Sequence, residues 1–523
     1  MKRFFTLNAV FAIYLVMFVV IIGGFAPRWT ALVAVMLLAV WMLLRPLEDG
    51  VLFFIRTVPL FIALPLTSSY DNLNMWRPLS LVLFFRFLAE PSTRAALIHI
   101  IHDAFSRPAS WLKAHPVARR LGILLLFAGL SLIGAKYPAV GIKRIIYFVN
   151  LSFVPTLVWA LLRQGRLTSE RVIRNLAIPT MVVVVAGFLQ LASTYLLDVY
   201  QFMRLWGEQI QLRQFGAQWS YIAVNVGNTW LAYYGDQLSL RVFSLFPDSH
   251  SFPTFVLLGL PALLAMTTGP ILRIAESLPL KRLVHTYASM SIVWVPAAFL
   301  AAILSGTRGI WAASLGVLTL VPILMWLMRR LHVDTVRRRV FAYGASYLAV
   351  FFLLFAVAWP VFISPQFLVG KGDLGMFARR IRSVIDFGET SNALRLAIWK
   401  SSVISIAHHP LLGVGIGNFP VVLQQDIQLA RAGSTAHNLY LHVAAEMGVI
   451  AAIEVIALLL GVLSSAWRWF ASARGPSLVY AAALLLYLPW VYAYVLTDPI
   501  IFDERVYLMF ATTLALVWAN DHD

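Results

Sequence analysis

Arginine and histidine side chains stand at junctions between apolar segments in the second half of the chain. Arg308 lies in Ser-Gly-Thr-Arg-Gly at 305–309, Arg395 in Arg-Leu-Ala-Ile-Trp at 395–399, and His437 begins His-Asn-Leu-Tyr-Leu at 437–441. A guanidinium group binds phosphate through paired hydrogen bonds, and an imidazole exchanges protons near neutral pH. Taken singly, each position also fits a plain interpretation, such as an arginine reaching the membrane interface or a polar histidine at a helix end.

Two further stretches carry polar residues near the same junctions. The sequence from His409 to Phe419 contains three glycines at alternate positions, which let the backbone pass close to another group but also suit a simple bend. Glu446 lies nine residues after His437, so on one helix the two would point apart. We expect Glu446 to cap or anchor a helix, and His442 is spaced to pair with it. The stretch 241–250 contributes Arg241, Asp248 and His250, which also fit a polar loop entering a helix.

The composition excludes a soluble protein as the carrier of these residues. Of 523 residues, 60% are hydrophobic and only 12% are charged, whereas a globular domain has about 25% charged residues. The chain has no cysteine, which excludes disulfides and thiol chemistry. The net charge of +18 is typical of basic loops beside a membrane. Nucleic acid is not expected as a partner, because the basic residues lie between apolar segments and form no basic domain.

The apolar segments predict an all-α, polytopic membrane helix bundle. Continuous apolar runs favour helices over the alternating strands of a barrel. We predict about fourteen transmembrane helices, or twelve to thirteen if the short fourth and fifth segments do not cross. The segments are 7–24, 29–44, 51–67, 78–90, 121–135, 145–162, 176–197, 252–271, 287–305, 310–328, 341–362, 446–466, 478–496 and 506–519.

Loop charges predict the orientation of these segments. Lys and Arg residues concentrate in the short loops of one side, which places both termini in the cytoplasm and the long loops 198–251 and 363–445 outside. The first segment lacks a cleavage site and is interpreted as an uncleaved anchor. Within the second long loop, 391–407 has apolar residues near helical spacing and predicts an amphipathic helix on the outer surface. Arg56 and Arg86, inside segments, should face the bundle or a polar cavity.

Four motifs in order resemble the O-antigen ligase and polymerase family of bacterial envelope glycosyltransferases. They are S-x-x-R-G at 305–309, R-x-x-x-W at 395–399, H-P-x-x-G-x-G-x-G-x-F at 409–419 and H-N-x-x-L-x-x-x-x-E-x-G at 437–448. The resemblance implies metal-independent, inverting transfer of a glycan from undecaprenyl diphosphate to a hydroxyl acceptor, with no cofactor. It places the protein in the bacterial inner membrane, with the active site facing the periplasm.

The resemblance also assigns roles to residues. His437 would be the catalytic base, and Arg308 and Arg395 would bind the diphosphate, with Arg241 as an addition. Asp248, His250, Asn438 and Glu446 are candidates for substrate-binding or structural roles, and no metal ligands are expected. The implied partners are the undecaprenyl-diphosphate-linked glycan, a glycan or lipid A-core acceptor, membrane lipids and other polysaccharide assembly proteins.

The sequence leaves the acceptor and one rival class open. The three acceptors are the lipid A core (ligase), another lipid-linked glycan (polymerase) and a protein hydroxyl, with a slight preference for a polymerase of exopolysaccharide or O-antigen. The rival is a lipid-linked glycan flippase, which would be expected to show paired halves with discontinuous helices. We divide the chain into N-terminal helices with the first outer loop at 1–251, a ligase/polymerase-like catalytic region at 252–466 and C-terminal helices at 467–523.

Overall fold

The computed structural model is 77% helical. It contains almost no sheet, as expected for an all-α membrane protein. The structure describes residues 6–67, 71, 73–91, 93–94, 98, 102–103, 106–108, 110, 116–226, 230–234, 237–275, 284–368, 390–425 and 434–521.

The helices follow the predicted apolar segments closely. The first half of the chain forms α1 Leu7–Ile22, α2 Thr30–Leu44, α3 Leu47–Thr57, α4 Trp76–Ala89, α5 Pro116–Leu130, α6 Pro138–Arg163, α7 Ser169–Ser193, α8 Val199–Phe202, α9 Leu212–Phe215 and α10 Ala217–Val226. The second half forms α11 Ser251–Ala275, α12 Val284–Leu304, α13 Arg308–Arg330, α14 Thr335–Ile363, α15 Thr390–His408, α16 Phe419–Val422, α17 Leu439–Met447, α18 Val449–Ser472, α19 Gly475–Tyr494 and α20 Glu504–Ala519.

Six helices in the described part of the chain are long and apolar enough to cross a membrane: α6, α7, α13, α14, α18 and α19. Four further apolar helices are shorter, namely Leu7–Ile22, Thr30–Leu44 and the stretches Ser251–Met266 and Val293–Leu304. The prediction of an all-α membrane protein is confirmed at this level. The predicted count of about fourteen spans is not supported.

Local breaks interrupt two of the predicted segments. The predicted segment 51–67 is helical only to Thr57, then passes through a 3-10 turn into a two-residue strand, β1 Ala63–Leu64, that pairs with β2 Leu73–Asn74. The predicted segment 446–466 is cut at Gly448, whose φ of +88° ends α17 and starts α18. Apolar composition alone did not reveal these interruptions.

Two antiparallel helices, α11 and α19, form the centre of the bundle. They pack extensively on each other, and α19 is largely buried, whereas the other long helices expose most of their surface. The close packing of α11 against α7 depends on Gly259 of α11, because a Cβ atom at this position would lie 1.9 Å from the Thr180 hydroxyl of α7. The first residue of α11 and the last residue of α19 lie at the same end of the bundle, which we call the site end.

The two predicted outer loops contain structure of their own. The first holds α8, a π-helix at Met203–Gln211, α9, α10 and a hairpin of β3 Leu231–Tyr234 with β4 Gln237–Leu240. In the second, α15 confirms the helix predicted at 391–407. Its Ile398 side chain packs on the protein and its Trp399 indole donates to a backbone carbonyl, whereas Leu394 is exposed.

The two arginines predicted to face the bundle do so. Arg56 donates to the side-chain oxygens of Asn8 and Asn175, and Arg86 donates to the Met42 carbonyl.

Candidate active site

Two histidines share one carboxylate at the site end. Asp498 Oδ2 lies 3.6 Å from His437 Nδ1 and 3.7 Å from His250 Nδ1. Asp498 follows the C-terminus of α19, and His250 precedes the N-terminus of α11. Because these helices are antiparallel and packed together, residues almost 250 positions apart meet.

His250 is held as a neutral imidazole. Arg241 Nη2 lies 3.2 Å from its Nε2, and the Tyr494 hydroxyl lies 3.0 Å from its Nδ1. Because a guanidinium only donates hydrogen bonds, Nε2 must accept and the proton must reside on Nδ1. Burial, reinforced by the positive charge of Arg241, lowers the pKa of His250 to about 3. This histidine therefore relays hydrogen bonds and does not act as a base near neutral pH.

Two histidines and one arginine surround the Asp498 carboxylate. Burial by itself would raise its pKa, but the interactions with His437, His250 and Arg395 outweigh burial and hold that pKa below its ordinary value. The carboxylate is therefore ionised at neutral pH. Arg395 of α15 also acts electrostatically on His250, so its guanidinium lies near both groups.

His437 is fixed by its neighbours while its ring stays accessible. Its φ is +46°, a left-handed conformation, and its side chain is 32% exposed. On one side, Trp399 Nε1 of α15 donates to the Ala436 carbonyl at 2.9 Å. On the other, the Leu439 N–H donates to the Val495 carbonyl at 2.8 Å. With Nδ1 facing Asp498, the Nε2 atom is left to exchange a proton with a substrate.

Arg308 starts α13 beside the same groups. The preceding residue, Thr307, donates its hydroxyl to the Ser249 carbonyl at 2.7 Å. The following residue, Gly309, packs so closely that a Cβ atom would lie 2.3 Å from the Thr497 hydroxyl oxygen and 2.9 Å from the Tyr494 ring. Arg308 is thus held, half-buried, between the segments that carry His250 and Asp498.

Buried glutamines fix the backbone of the segment 241–250. Gln190 Oε1 accepts from the N–H groups of Phe243 and Ser244, both at 2.9 Å, and Ser244 has a left-handed φ of +54°. Gln211 donates to the Phe246 carbonyl at 2.9 Å, and Gln214 donates to the Leu245 carbonyl at 3.3 Å. These buried amide hydrogen bonds make a rigid support, so Arg241 and His250 are held in place before any substrate binds.

Three of the predicted substrate-binding or structural residues have structural contacts. Asp248 accepts from the backbone N–H groups of His250 and Ser251 and begins α11, and burial raises its pKa. Asn438 caps α17 by accepting from Tyr440 and Leu441 N–H groups at 3.0 and 3.1 Å. Glu446 accepts from the Phe419 N–H at 3.0 Å and lies 3.5 Å from His442 Nε2, so it anchors the glycine loop.

The three alternate glycines make the close backbone approach that their spacing predicted. Gly413, Gly415 and Gly417 all have positive φ, at 64°, 97° and 76°. A Cβ atom on Gly413 would lie 2.4 Å from the Glu446 carbonyl carbon, and one on Gly415 would lie 2.4 Å from the Ala135 Cβ. This loop therefore braces α17 and the end of α5 without contributing chemistry.

The structure brings Arg241, His250, Arg395 and His437 around Asp498 and places Arg308 beside them. Sequence analysis missed Asp498, Tyr494 and Gln190. The sequence offered one signal, which was polarity. Asp498 is an acid at the outer end of an apolar segment, and Gln190 is an amide inside another apolar segment. In the part of the chain that the structure covers, no group of three His, Asp or Glu side chains is arranged to hold a metal ion.

Long apolar helices with a charged cluster at one end define a multi-pass membrane protein. Residues 293–456 match the family model described as O-antigen ligase, which supports the resemblance of this part of the chain to the O-antigen ligase and polymerase family of glycosyltransferase-like enzymes. The resemblance drawn from the four motifs is thereby confirmed. Arg308, Arg395 and His437 lie inside the matched region, whereas His250 and Asp498 lie outside it. A search of curated proteins returned no match to the chain.

Proposed function

We propose that the protein transfers a glycan from undecaprenyl diphosphate to a hydroxyl acceptor, without a metal ion, at the periplasmic face of the inner membrane. The observation that carries the proposal is the convergence of Arg241, Arg395 and His437 around Asp498, with Arg308 alongside. Arginines supply the positive charge that a leaving diphosphate requires, and the imidazole supplies a base.

The reaction is a single displacement at the anomeric carbon. The acceptor oxygen attacks that carbon while His437 Nε2 takes the hydroxyl proton, and Asp498 stabilises the imidazolium that forms. The bond from the anomeric carbon to the phosphate oxygen breaks, and undecaprenyl diphosphate leaves with the electron pair. The arginines stabilise the growing charge on the diphosphate more than they stabilise the bound donor, which lowers the barrier. The anomeric configuration is inverted.

Among acceptors we favour another lipid-linked glycan, which makes the protein a polymerase of exopolysaccharide or O-antigen. Ligation to the lipid A core and transfer to a protein hydroxyl use the same chemistry and remain the alternatives. A flippase for lipid-linked glycans is the alternative from another class. Against it stands the cluster of a base and its carboxylate, which transport does not require.

The test is turnover of a labelled undecaprenyl-diphosphate oligosaccharide by the purified protein, with chelator and no nucleotide. We expect release of the carrier diphosphate together with a longer glycan. His437→Ala should slow this reaction by about 10²- to 10⁴-fold. Arg308→Ala and Arg395→Ala should slow it by about 10²- to 10³-fold.

Lys400→Ala is the matched control, because Lys400 is an exposed cation on the same helix as Arg395. It should retain wild-type turnover. Release only after lipid A core is added would establish a ligase, and release only with a protein acceptor would establish protein glycosylation. Lipid movement without any transfer, from folded protein, would replace the proposal with the flippase.

A further inference from the structure

Two arginines at the site end stand apart from the charged cluster. Arg77 lies in the first turn of α4 and Arg144 in the second turn of α6, and both side chains are half-buried. Arg77 Nε is shielded from solvent and has no hydrogen-bond partner. Within the described ranges, neither guanidinium forms a hydrogen bond or a close ion pair.

Two other half-buried arginines are paired with carboxylates. Arg28 binds Asp71 at 2.5 Å, and Arg120 binds Glu454 at 3.0 Å. A shielded guanidinium without a partner is costly, because the hydrogen bonds it loses from water are not replaced. Arg77 and Arg144 therefore mark a place where an anion would restore the missing interactions.

Aromatic rings hold the two guanidinium groups. The Arg77 Cζ atom lies 5.3 Å from the Trp76 ring centroid and 5.4 Å from that of Tyr147. The Arg144 Cζ atom lies 5.8 Å from the Phe148 ring centroid, and both charges act on the Tyr147 hydroxyl. A guanidinium stacked on a ring keeps its in-plane N–H groups available for a phosphate.

The carboxylates near Arg77 and Arg144 are engaged by other groups. Glu504 is occupied by the Trp76 indole N–H at 2.7 Å, by Arg505 Nη1 at 3.1 Å and by the Asn74 amide. Glu446, on which Arg144 acts electrostatically, is bound by the Phe419 N–H and His442. Asp503 also acts electrostatically on the Tyr147 hydroxyl, but none of these three carboxylates forms an ion pair with Arg77 or Arg144.

A row of aromatic rings connects the Arg77–Arg144 pair to the helix that follows His437. Phe148 and Phe502 have ring centroids 5.5 Å apart, and so do Phe502 and His442. His442 lies in α17, the short helix that begins directly after Asn438 and His437. The Arg77–Arg144 pair and the charged cluster therefore flank one short helix.

We propose that Arg77 and Arg144 bind a phosphate group of the acceptor, at a site separate from the one that holds the donor diphosphate. The proposal rests on the proposed function, because a single displacement requires donor and acceptor to be bound together. A lipid-linked acceptor brings its own diphosphate, and a lipid A core brings phosphates on its saccharide. The shared chemistry is a phosphate held at the membrane surface while the acceptor hydroxyl reaches His437.

The kinetic test varies the acceptor alone. The acceptor is a lipid-linked oligosaccharide analogue in which a methylene group replaces the oxygen between the anomeric carbon and the prenyl diphosphate. It can accept a glycan but cannot donate one, and the undecaprenyl-diphosphate donor is kept saturating. Arg77→Gln and Arg144→Gln should each raise the KM for the acceptor about tenfold and leave kcat and the KM for the donor unchanged. Arg77→Lys and Arg144→Lys, which retain the charge, should recover part of the loss.

Lys143→Gln is the control, since it removes an exposed cation next to Arg144. It should leave all three constants at wild-type values. A second arm uses lipid A core with and without its phosphates, and a KM rise confined to the phosphorylated core would identify the core phosphate as the ligand. An unchanged KM for both acceptors, or an equal rise for the donor, would overturn the proposal.

A binding readout separates this proposal from the proposed function. Native mass spectrometry of the purified full chain with farnesyl diphosphate should show two bound molecules, and one in the Arg77→Gln/Arg144→Gln double variant. Loss of one molecule without turnover on any acceptor would keep the site and reject the transferase. Turnover with equal binding by both proteins would keep the transferase and reject the site.

Discussion

Charged side chains have different partners at the two ends of the helix bundle. At the end opposite the site, Arg166 joins Glu48 and Glu90 at 2.6 and 2.5 Å, and Arg468 binds Asp521. At the site end, Asp498 is shared by two histidines, Arg395 acts on it electrostatically, and Arg241 donates to His250. The first arrangement pairs these arginines with carboxylates, whereas the second gathers several basic side chains around one carboxylate.

This difference separates charges that hold the fold from charges that serve a ligand. Paired ions gain little from adding another anion, because their hydrogen bonds are already made. The guanidinium of Arg241 lies beside a neutral histidine, and the segment 241–250 holds it in position for a phosphate. Removing a carboxylate should therefore affect activity at one end and stability at the other.

Among the variants that compare the two ends of the bundle, Asp498→Asn should have the largest effect. The amide keeps the size of the side chain but loses the charge that orients and stabilises the His437 imidazole. We expect kcat to fall by about a hundredfold. The measurement is steady-state transfer with the labelled donor. Asp521→Asn, which breaks the pair with Arg468 at the opposite end, should keep wild-type kcat; a similar loss in both variants would refute the distinction.

Gly448→Ala should destabilise the support of the site end. Its φ of +88° is unfavourable for alanine, and the added Cβ would lie 2.0 Å from the Leu411 carbonyl oxygen. We expect the free energy of unfolding to fall by about 2–3 kcal/mol. Thermal unfolding in detergent measures the change. Gly461→Ala in α18, where nothing lies within 4 Å, should be neutral or slightly stabilising.

His250 should make the site end sensitive to acid. Its pKa falls from 6.5 to about 3 on folding, so below pH 6.5 the unfolded chain binds a proton that the folded protein does not. Stability should therefore decline as pH falls from 6.5 towards 3, by up to about 1.4 kcal/mol per pH unit. The measurement is the unfolding free energy against pH for wild type and His250→Gln.

Comparing wild type with His250→Gln separates the effect of His250 on stability from that of Asp503, which changes stability with pH in the opposite direction. Burial and neighbouring carboxylates raise the pKa of Asp503 to about 7, which favours the folded state as pH falls through the same range. The difference between wild type and His250→Gln removes that contribution. Exposed His332→Asn, at the opposite end, should follow the wild-type profile, and parallel profiles for His250→Gln would contradict the assignment.

The smallest effect should follow Arg166→Gln. Glu48 and Glu90 would lose their shared cation, but all three side chains are partly exposed, so we expect a loss of about 1 kcal/mol. Unfolding in detergent measures it, and transfer per folded molecule should stay at the wild-type rate. A fall in kcat would show that charges at this end also serve the reaction.

The sequence predicted the positions of the helices better than the number of membrane spans. Continuous apolar runs located the long helices, because a segment in lipid must satisfy its backbone internally. The interruptions at Thr57 and Gly448 escaped prediction, since one depends on a strand pairing and the other on a close contact with Leu411. Arg308, Arg395 and His437 were found because they stand in motifs that occur in a characteristic order along the chain.

Asp498, Tyr494 and Gln190 were not found, because nothing local distinguishes them. Asp498 becomes significant only when α19 packs antiparallel to α11 and delivers it to His250 and His437. Gln190 matters because two N–H groups from a segment 53 positions away need an acceptor in an apolar surrounding.

The amino-acid sequence by itself determined the membrane class, the helical segments and the residue types able to bind phosphate and move a proton. Those properties follow from composition and short motifs, which do not depend on how the helices pack. The tertiary structure decided which acid serves His437, why His250 stays neutral, and which basic side chains surround Asp498. These depend on distances of a few ångströms between helix ends far apart in the chain, and only the packing of α11 on α19 sets them.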